Sequence, residues 1–182
     1  MSDIHVHLEP RHVEALFGRG HALTKWYDLT IPGQFACRET LEVVGPQGRI
    51  PGAVVVGPPR PRTQVEISFG NGLVLGIVPP LRESGDLEGT PGATLVGSAG
   101  SVPLDSGVIA AARHIHMHPQ DARDFGVSDG QRVRVRVPGE RGLVFDQVVV
   151  RVSEDFALEM HVDVEEGRAA GVVDFQLVEL VR

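Results

Sequence analysis

The sequence predicts a mainly β protein built from two tandem, related small β-barrels with short connecting helices. Three observations predict this fold class. Short runs of Val, Ile and Leu alternate with turn residues, the turn residues include 22 glycines and 13 prolines, and one pattern occurs twice along the chain. Short β-branched runs bounded by Gly and Pro are typical of strands. A chain of 182 residues is long enough to bury one core or two small ones.

Individual elements follow from local patterns. The strict alternation in QRVRVRV (131–137) predicts a strand with one buried and one solvated face, and PGERGL after it predicts a turn into the next strand. Short helices are predicted near residues 10–17, 119–125 and 163–170. Pro10 and Pro119 suit a first helical turn, where a missing N–H has no helical partner to lose. The other predicted strands are LEVVG, RIPGAVVVG, QVEIS, ATLVG, GVIAAARHIH, GLVFDQVVVRVS and EMHVDV.

The repeated pattern indicates an internal duplication. HVHLEPRHVEALFG (5–18) and HIHMHPQDARDFG (114–126) share His-x-His, an apolar residue, a proline two positions later and a closing Phe-Gly. Two copies are too few for a solenoid. We therefore expect two intimately packed halves, residues 1–85 and 86–182. Their boundary is approximate, and an exchange of segments between the barrels stays open.

Composition excludes several classes of partner. A net charge of −7, with Lys25 as the one lysine, argues against a nucleic-acid or anionic-membrane surface, which needs surplus cations. No apolar run reaches the length of a membrane span. Cys37 is the one cysteine, which rules out an intrachain disulfide and a cysteine-based zinc site. The opening MSDIHVHLEP lacks a signal-peptide pattern, so we expect a cytoplasmic location.

The histidine pairs are the strongest chemical signal. Because residues i and i+2 of a strand point to the same face, His5 and His7 present two imidazoles side by side, and so do His114 and His116. Two imidazoles with a third ligand from elsewhere form the usual ligand set of a divalent transition metal. The alternative is that histidine tolerates half-buried strand ends and that the repeat merely preserved its ancestor's sequence.

The sequence alone gives weaker evidence for the third metal ligand of each pair. His161 in LEMHVDV is either a core histidine or a third ligand, and Glu66 in TQVEIS is either a solvated edge residue or a paired one. His118 precedes Pro119 and fits a helix entry better than a metal site. His12 and His21 are expected to be surface residues.

Arginines supply the candidate anion-binding groups. Arg60 follows VVVGPP in a turn stiffened by prolines, and an arginine held in such a turn can bind phosphate or carboxylate bidentately. Arg62 competes for the same role.

Taken together, the motifs resemble one family. HVHL, GPPRPRTQVEIS, GDLEGTPGATLVGSAGSV, GVIAAARHIHMHPQDARDFGV and LEMHVD follow one another, over roughly residues 4–171, as in the PduL-type phosphotransacylases, or phosphate propanoyltransferases. The resemblance implies two closed β-barrels and two zinc ions. It implies that His5, His7 and Glu66 hold the first ion, that His114, His116 and His161 hold the second, and that Arg60 binds phosphate.

The same resemblance implies an activity. A short-chain acyl-CoA, propanoyl-CoA or acetyl-CoA, and phosphate would interconvert with acyl phosphate and CoA. Because Cys37 lies outside the metal motifs, we expect direct transfer without an acyl-enzyme. The alternative is a non-catalytic metal-binding or barrel-type ligand-binding module derived from the family, since DFGVSDGQRVRVRV also resembles a turn used in other barrel folds.

Two departures from the family concern coenzyme A and localisation. Family members carry a strand and a Ser/Asn-Arg pair before HVHL that form part of the CoA surface, and any encapsulation peptide lies there, whereas MSDI precedes HVHL here. The family's DEANAA reads EEGRAA, so Arg168 replaces an asparagine expected near CoA and becomes a candidate CoA-binding residue. Association with a bacterial microcompartment and homo-oligomerisation stay open.

Overall fold

The structure is a computed structural model that describes residue 1 and residues 3–181. It is mainly β and divides into two compact units. Residues 3–29 and 33–111 form the first unit, and residues 112–181 with Met1 and Thr30–Pro32 form the second. Each unit contains one curled sheet with short helices. The predicted fold class, two barrel-like units of mainly β structure, is confirmed.

The first unit is built on the sheet order β6-β9-β5-β1-β4-β3-β7-β8, with β2 pairing to β3. Its elements are β1 (His5–His7), α1 (Pro10–Phe17), β2 (Lys25–Asp28), β3 (Phe35–Val44), β4 (Arg49–Gly57), β5 (Gln64–Glu66), α2 (Phe69–Leu75), β6 (Leu81–Arg82), β7 (Thr94–Val96), β8 (Ser101–Pro103) and β9 (Val108–Ala111). Strand β1 lies between β4, to which it is parallel, and β5, to which it is antiparallel.

The second unit repeats this central arrangement with the order β13-β10-β12-β11-β14. Its elements are β10 (His114–Met117), α3 (Pro119–Phe125), β11 (Arg132–Val137), β12 (Leu143–Val152), β13 (Glu159–His161), α4 (Val164–Ala170) and β14 (Glu179–Val181). Strand β10 lies between β12, to which it is parallel, and β13, to which it is antiparallel. The C-terminal tail adds β14 to the sheet beside β11.

The strand registers show that the two arrangements are equivalent. His5 pairs with Glu66 on its antiparallel neighbour, and His114 pairs with His161 on its own. A short helix follows each of these four strands. In the first unit α1 follows β1 and α2 follows β5, and in the second unit α3 follows β10 and α4 follows β13. The duplication predicted from His-x-His therefore extends to the strand that carries the expected third ligand.

The structure divides the chain later than residues 85–86, where the sequence suggested an approximate boundary. The strands that follow residue 85 belong to the first unit, because β7 pairs with β3 and β9 pairs with β5. The division falls between residues 111 and 112. These pairings join segments far apart in the chain, which local patterns do not reveal.

Each unit has its own core, and the cores orient the histidine strands. Val6 and Leu8 are buried in the first core with Val55 and Val65, and Ile115 and Met117 are buried in the second with Val148 and Val150. Fully burying one such side chain contributes roughly 1.5–3 kcal/mol. Because alternate residues of a strand face opposite sides, burial of Val6 and Ile115 directs the flanking histidines to the other face of each sheet.

The predicted helices are found, with one addition. Helices α1 and α3 have the predicted bounds, and α4 begins at Val164 because Asp163 caps it by accepting a hydrogen bond from the Glu166 N–H. Helix α2 was not predicted, because its sequence FGNGLVL contains two glycines, which disfavour helix. The Ser68 side chain caps this helix by accepting a hydrogen bond from the Asn71 N–H.

The end of α1 packs tightly against a two-glycine turn between β7 and β8. The Ala99 N–H donates to the Leu16 carbonyl at 2.8 Å, and the Gly97 N–H donates to the Gly100 carbonyl at 2.9 Å. A Cβ atom at Gly97 would overlap the Leu16 carbonyl oxygen. The turn between β3 and β4 meets the end of α2 in the same way, with Gly45 against Leu75.

We expect Gly97→Ala to lower the free energy of unfolding by about 1–3 kcal/mol, because the added methyl must displace helix backbone. Denaturant unfolding followed by circular dichroism measures the change. Ser98→Ala, at an exposed position of the same turn, is the matched control and should stay within about 0.5 kcal/mol of wild type. Equal stability of the two variants would contradict this packing argument.

Candidate functional site

The first cluster consists of His5 and His7 on β1 and Glu66 on β5. His5 Nε2 lies 3.4 Å from Glu66 Oε2, and His7 Nε2 lies 3.8 Å from Glu66 Oε1. One ligand atom from each residue falls within 4.8 Å of the other two. Two imidazoles and a carboxylate at this spacing can hold one divalent metal ion and leave a coordination position open. The cluster therefore meets the ligand requirements of a metal site.

The first histidine of each pair is held by the backbone two residues before it. His5 Nδ1 donates to the Asp3 carbonyl at 3.0 Å, and His114 Nδ1 donates to the Ala112 carbonyl at 2.8 Å. Because a carbonyl oxygen only accepts, Nδ1 of each of these rings carries a proton. Such a bond fixes ring orientation and tautomer in many metal sites. Both units therefore hold the first histidine of the pair with the same side-chain-to-backbone hydrogen bond.

The protonation states in the first cluster suit metal binding. Burial, together with His5, lowers the pKa of His7 to about 3, so its imidazole is neutral at pH 7. Burial alone would raise the pKa of Glu66, but His5, His7, Ser84 and Arg60 outweigh it and hold that pKa below the ordinary value. A neutral imidazole and an ionised carboxylate are the forms that bind metals.

The second cluster brings together the three predicted histidines. The ring centroids of His114 and His116 lie 4.7 Å apart, those of His114 and His161 5.0 Å, and those of His116 and His161 4.7 Å. Burial, and then His114 and His161, lower the pKa of His116 to about 3.

The surroundings of His116 bear on whether a metal ion could bind in the second cluster. Its side chain is only 4% exposed, and neither ring nitrogen has a hydrogen-bond partner among the described residues. A buried polar atom left without a partner costs roughly 1–3 kcal/mol. A metal ion bound by one of these nitrogens would remove part of that cost. Among the described residues, only the first cluster brings one ligand atom from each of three residues within 4.8 Å of one another.

Arg60 is connected to the first cluster through Ser84. Arg60 Nη1 donates to Ser84 Oγ at 3.2 Å, and the Ser84 hydroxyl donates to Glu66 Oε1 at 3.0 Å. The Arg60 N–H donates to the Leu8 carbonyl at 2.8 Å, which joins the proline-rich turn to the end of β1. Arg62, the competing arginine, is exposed. The structure thus places Arg60, rather than Arg62, in the network of the cluster.

Two polar residues of this network were missed by sequence reasoning. Ser84 lies in the turn after β6, and no local pattern marks it. Gln64 Nε2 donates to Glu66 Oε1 and to Ser84 Oγ. Its position two residues before Glu66 on one short strand was a signal that could have identified it, because such residues share a face.

The other histidines take structural roles. His118 caps α3 and lies 2.9 Å from Glu154, as expected for a helix-entry residue. The expectation that His12 and His21 are plain surface residues is wrong. His12 contacts Thr63 at 2.7 Å and Glu9 at 2.9 Å, and His21 contacts Glu39 at 2.8 Å. Their partners lie up to 51 residues away, which hid these contacts from local patterns.

Arg168 and Cys37 lie in different environments. Arg168 is exposed in the last turn of α4, the helix that follows His161. Cys37 is 1% exposed on β3. Burial, and then the charge of Glu39, raise the pKa of its thiol to about 11. A thiol that stays protonated and buried is a poor nucleophile.

No helix in the described part of the chain is both long and apolar enough to cross a membrane.

The fold and the clusters together define a class: duplicated β-barrel proteins in which each barrel presents a His-x-His strand beside a third potential metal ligand. Comparison with known proteins identifies the particular family. The family model for phosphate propanoyltransferase matches residues 1–173. This chain belongs to the phosphate propanoyltransferase family, as the motifs of the sequence indicated.

Individual relatives agree along most of their length. The phosphate propanoyltransferase of Thermotoga maritima is 50% identical over 182 residues, which is all of this chain and 87% of the relative. That of Listeria monocytogenes is 51% identical over 167 residues, 92% of this chain and 78% of the relative. That of Rhodopseudomonas palustris is 46% identical over 182 residues, all of this chain and 80% of the relative.

We expect Cys37 to react slowly with thiol reagents in the folded protein. A shift of its pKa from 9.0 to about 11 reduces the thiolate fraction at pH 8 roughly 100-fold, and burial slows access further. The rate of reaction with iodoacetamide at pH 8 measures this. The same protein unfolded in guanidinium is the control, and equal rates in the two states would contradict the environment described for Cys37.

Proposed function

We propose that this protein is a zinc-dependent phosphate acyltransferase. It interconverts a short-chain acyl-CoA, propanoyl-CoA or acetyl-CoA, and phosphate with acyl phosphate and CoA. The observation that carries the proposal is the connection of Arg60 through Ser84 to Glu66 of the first cluster. The connection supports the proposal because it joins a cation suited to phosphate to the residues that would hold the metal. Membership of the family and the names of its relatives support the same activity.

The proposed reaction exchanges one bond at the acyl carbon. An oxygen of hydrogenphosphate attacks the thioester carbonyl, a C–O bond forms, and the C–S bond to coenzyme A breaks. The proton that leaves the phosphate ends on the CoA sulfur. No electrons are transferred to or from another reactant, so the step needs neither an oxidant nor a reductant.

The two ligand sets suit zinc, one ion in each unit. Two histidines with a carboxylate, and three histidines, are both sets that zinc accepts while keeping one position open. A bound zinc ion supplies a Lewis acid that polarises a carbonyl or phosphoryl oxygen. His5, His7 and Glu66 would hold one ion, and His114, His116 and His161 the other.

The residues of the chain bind and orient the substrates. Arg60 presents a planar guanidinium that binds two phosphate oxygens at once, and holding phosphate close to the thioester converts a bimolecular encounter into a positioned one. Arg168, exposed on α4, is the cation we assign to a phosphate of coenzyme A. Because Cys37 is buried and protonated, the acyl group passes directly to phosphate without an acyl-enzyme.

Release of free CoA thiol from propanoyl-CoA in the presence of phosphate tests the proposal. We expect phosphate-dependent release that is lost after dialysis against a strong chelator and is restored by zinc, with about two zinc ions per chain. His116→Ala should reduce both zinc content and rate, since it removes a ligand of the second cluster. A protein with about two zinc ions and no activity would favour the non-catalytic metal-binding alternative, and one with neither would refute the proposal.

A second experiment addresses Arg60. We expect Arg60→Gln to raise the KM for phosphate about 10- to 100-fold, because a charged hydrogen bond contributes roughly 1.5–3 kcal/mol. The KM for propanoyl-CoA should change little. Arg62→Gln removes an equal charge two residues away at an exposed position and should behave as wild type. Similar KM values for phosphate in the two variants would show that Arg60 does not bind it.

A further inference from the structure

The residue two positions before the third ligand occupies the same place in both units. On β5 this residue is Gln64, before Glu66, and on β13 it is Glu159, before His161. Side chains two apart on a strand share a face. Each of these residues therefore points to the same side of its sheet as the cluster beside it.

The strand register places the same two residues beside the second histidine of each pair. Gln64 is paired with His7, and Glu159 is paired with His116. Residues paired across neighbouring strands have side chains on one face, about 5 Å apart. Each unit thus sets one further polar side chain beside its cluster.

In the first unit this side chain is a hydrogen-bond donor. Gln64 is 2% exposed, and its amide nitrogen donates to Glu66 Oε1 and, at 2.8 Å, to Ser84 Oγ. The amide oxygen accepts from the Gly85 N–H at 2.7 Å. Because both ends of the amide are bonded, its orientation is fixed and it presents N–H groups to the carboxylate.

In the second unit the corresponding side chain is an acceptor. Glu159 Oε2 lies 3.4 Å from His161 Nε2, and its side chain is 32% exposed. The third ligand has changed from a carboxylate to an imidazole, and the residue beside it has changed from an amide to a carboxylate. In the first unit the Gln64 amide donates to the Glu66 carboxylate. In the second unit the Glu159 carboxylate lies beside the His161 imidazole.

We propose that Gln64 and Glu159 are equivalent positioning residues. Gln64 presents a hydrogen-bond donor to Glu66, and Glu159 presents an acceptor to His161. The inference rests on the proposed function, since it requires that the clusters bind metal. Neighbours of this kind orient metal ligands and tune their basicity, and their removal commonly weakens metal binding 10- to 100-fold. Gln64 acts on Glu66, and Glu159 acts on His161.

Binding of Co²⁺ in competition with a chromophoric chelator tests the second unit. In a His7→Ala background, which removes a ligand of the first cluster, we expect Glu159→Gln to weaken Co²⁺ binding about 10- to 100-fold. The visible absorption bands of bound Co²⁺ should keep their positions, because the ligands themselves are unchanged. Glu154→Gln is the matched control, since Glu154 also contacts a histidine, His118, outside both clusters, and it should bind as the background does.

The same Co²⁺ binding experiment is applied to the first unit. In a His116→Ala background, Gln64→Met keeps side-chain volume but removes the donor, and we expect a similar loss of Co²⁺ affinity. Thermal unfolding of the metal-free proteins shows whether each variant folds. If Gln64→Met does not fold, the Glu159→Gln arm decides, because Glu159 is partly exposed and its replacement leaves the core intact.

The outcomes separate this inference from the proposed function. Unchanged affinity in folded Glu159→Gln would overturn it. So would altered Co²⁺ bands in that variant, since these would make Glu159 a ligand and not a positioning residue. A wild-type protein that binds no metal would instead refute the proposed function, on which the inference rests.

Discussion

The two-residue side-chain period of β1 and β10 is the constraint on which both clusters depend. Val6 and Ile115 are each buried in the core of their own unit, so the residues on either side of them must face the opposite way. Those residues are His5 and His7 in one unit and the corresponding pair in the other. A slip of one residue in the register would bury imidazoles in an apolar core and lose the valine or isoleucine from it. The hydrophobic effect on one face therefore fixes the positions of the paired histidines on the other.

The antiparallel neighbour of each histidine strand then decides the chemistry of each cluster. Register places Glu66 opposite His5 and His161 opposite His114. The first set carries one negative charge and the second set carries none, so a divalent ion would leave a net charge of about +1 in the first and +2 in the second. A more positive centre attracts anions more strongly and lowers the pKa of groups bound to it. The duplication thus produced two clusters at equivalent strand positions whose third residues differ in charge.

Much of this arrangement was predictable because the informative signals are local. His-x-His spacing, the prolines that open α1 and α3, and the glycine-bounded apolar runs all act within a few residues. What sequence reasoning missed depends on distant pairing. Strands β7 and β9 join the first unit through β3 and β5, and Ser84 reaches Glu66 across 18 residues. Helix α2 was missed for a different reason, since its glycines give it a low intrinsic propensity and its stability comes from a side-chain cap and from packing.

Ser84 links Arg60 to the first cluster through hydrogen bonds that run in one direction. A hydroxyl has one proton to donate, and here it goes to Glu66, so the same oxygen must accept from Arg60 and from Gln64. The bonds therefore run from the guanidinium and the amide, through the hydroxyl, to the carboxylate. In this order each donor increases the polarity of the next, and negative charge on Glu66 is stabilised by a cation it does not touch. The position of Arg60 and the ionisation of Glu66 consequently depend on one another, which ties the group suited to phosphate to the residues suited to the metal.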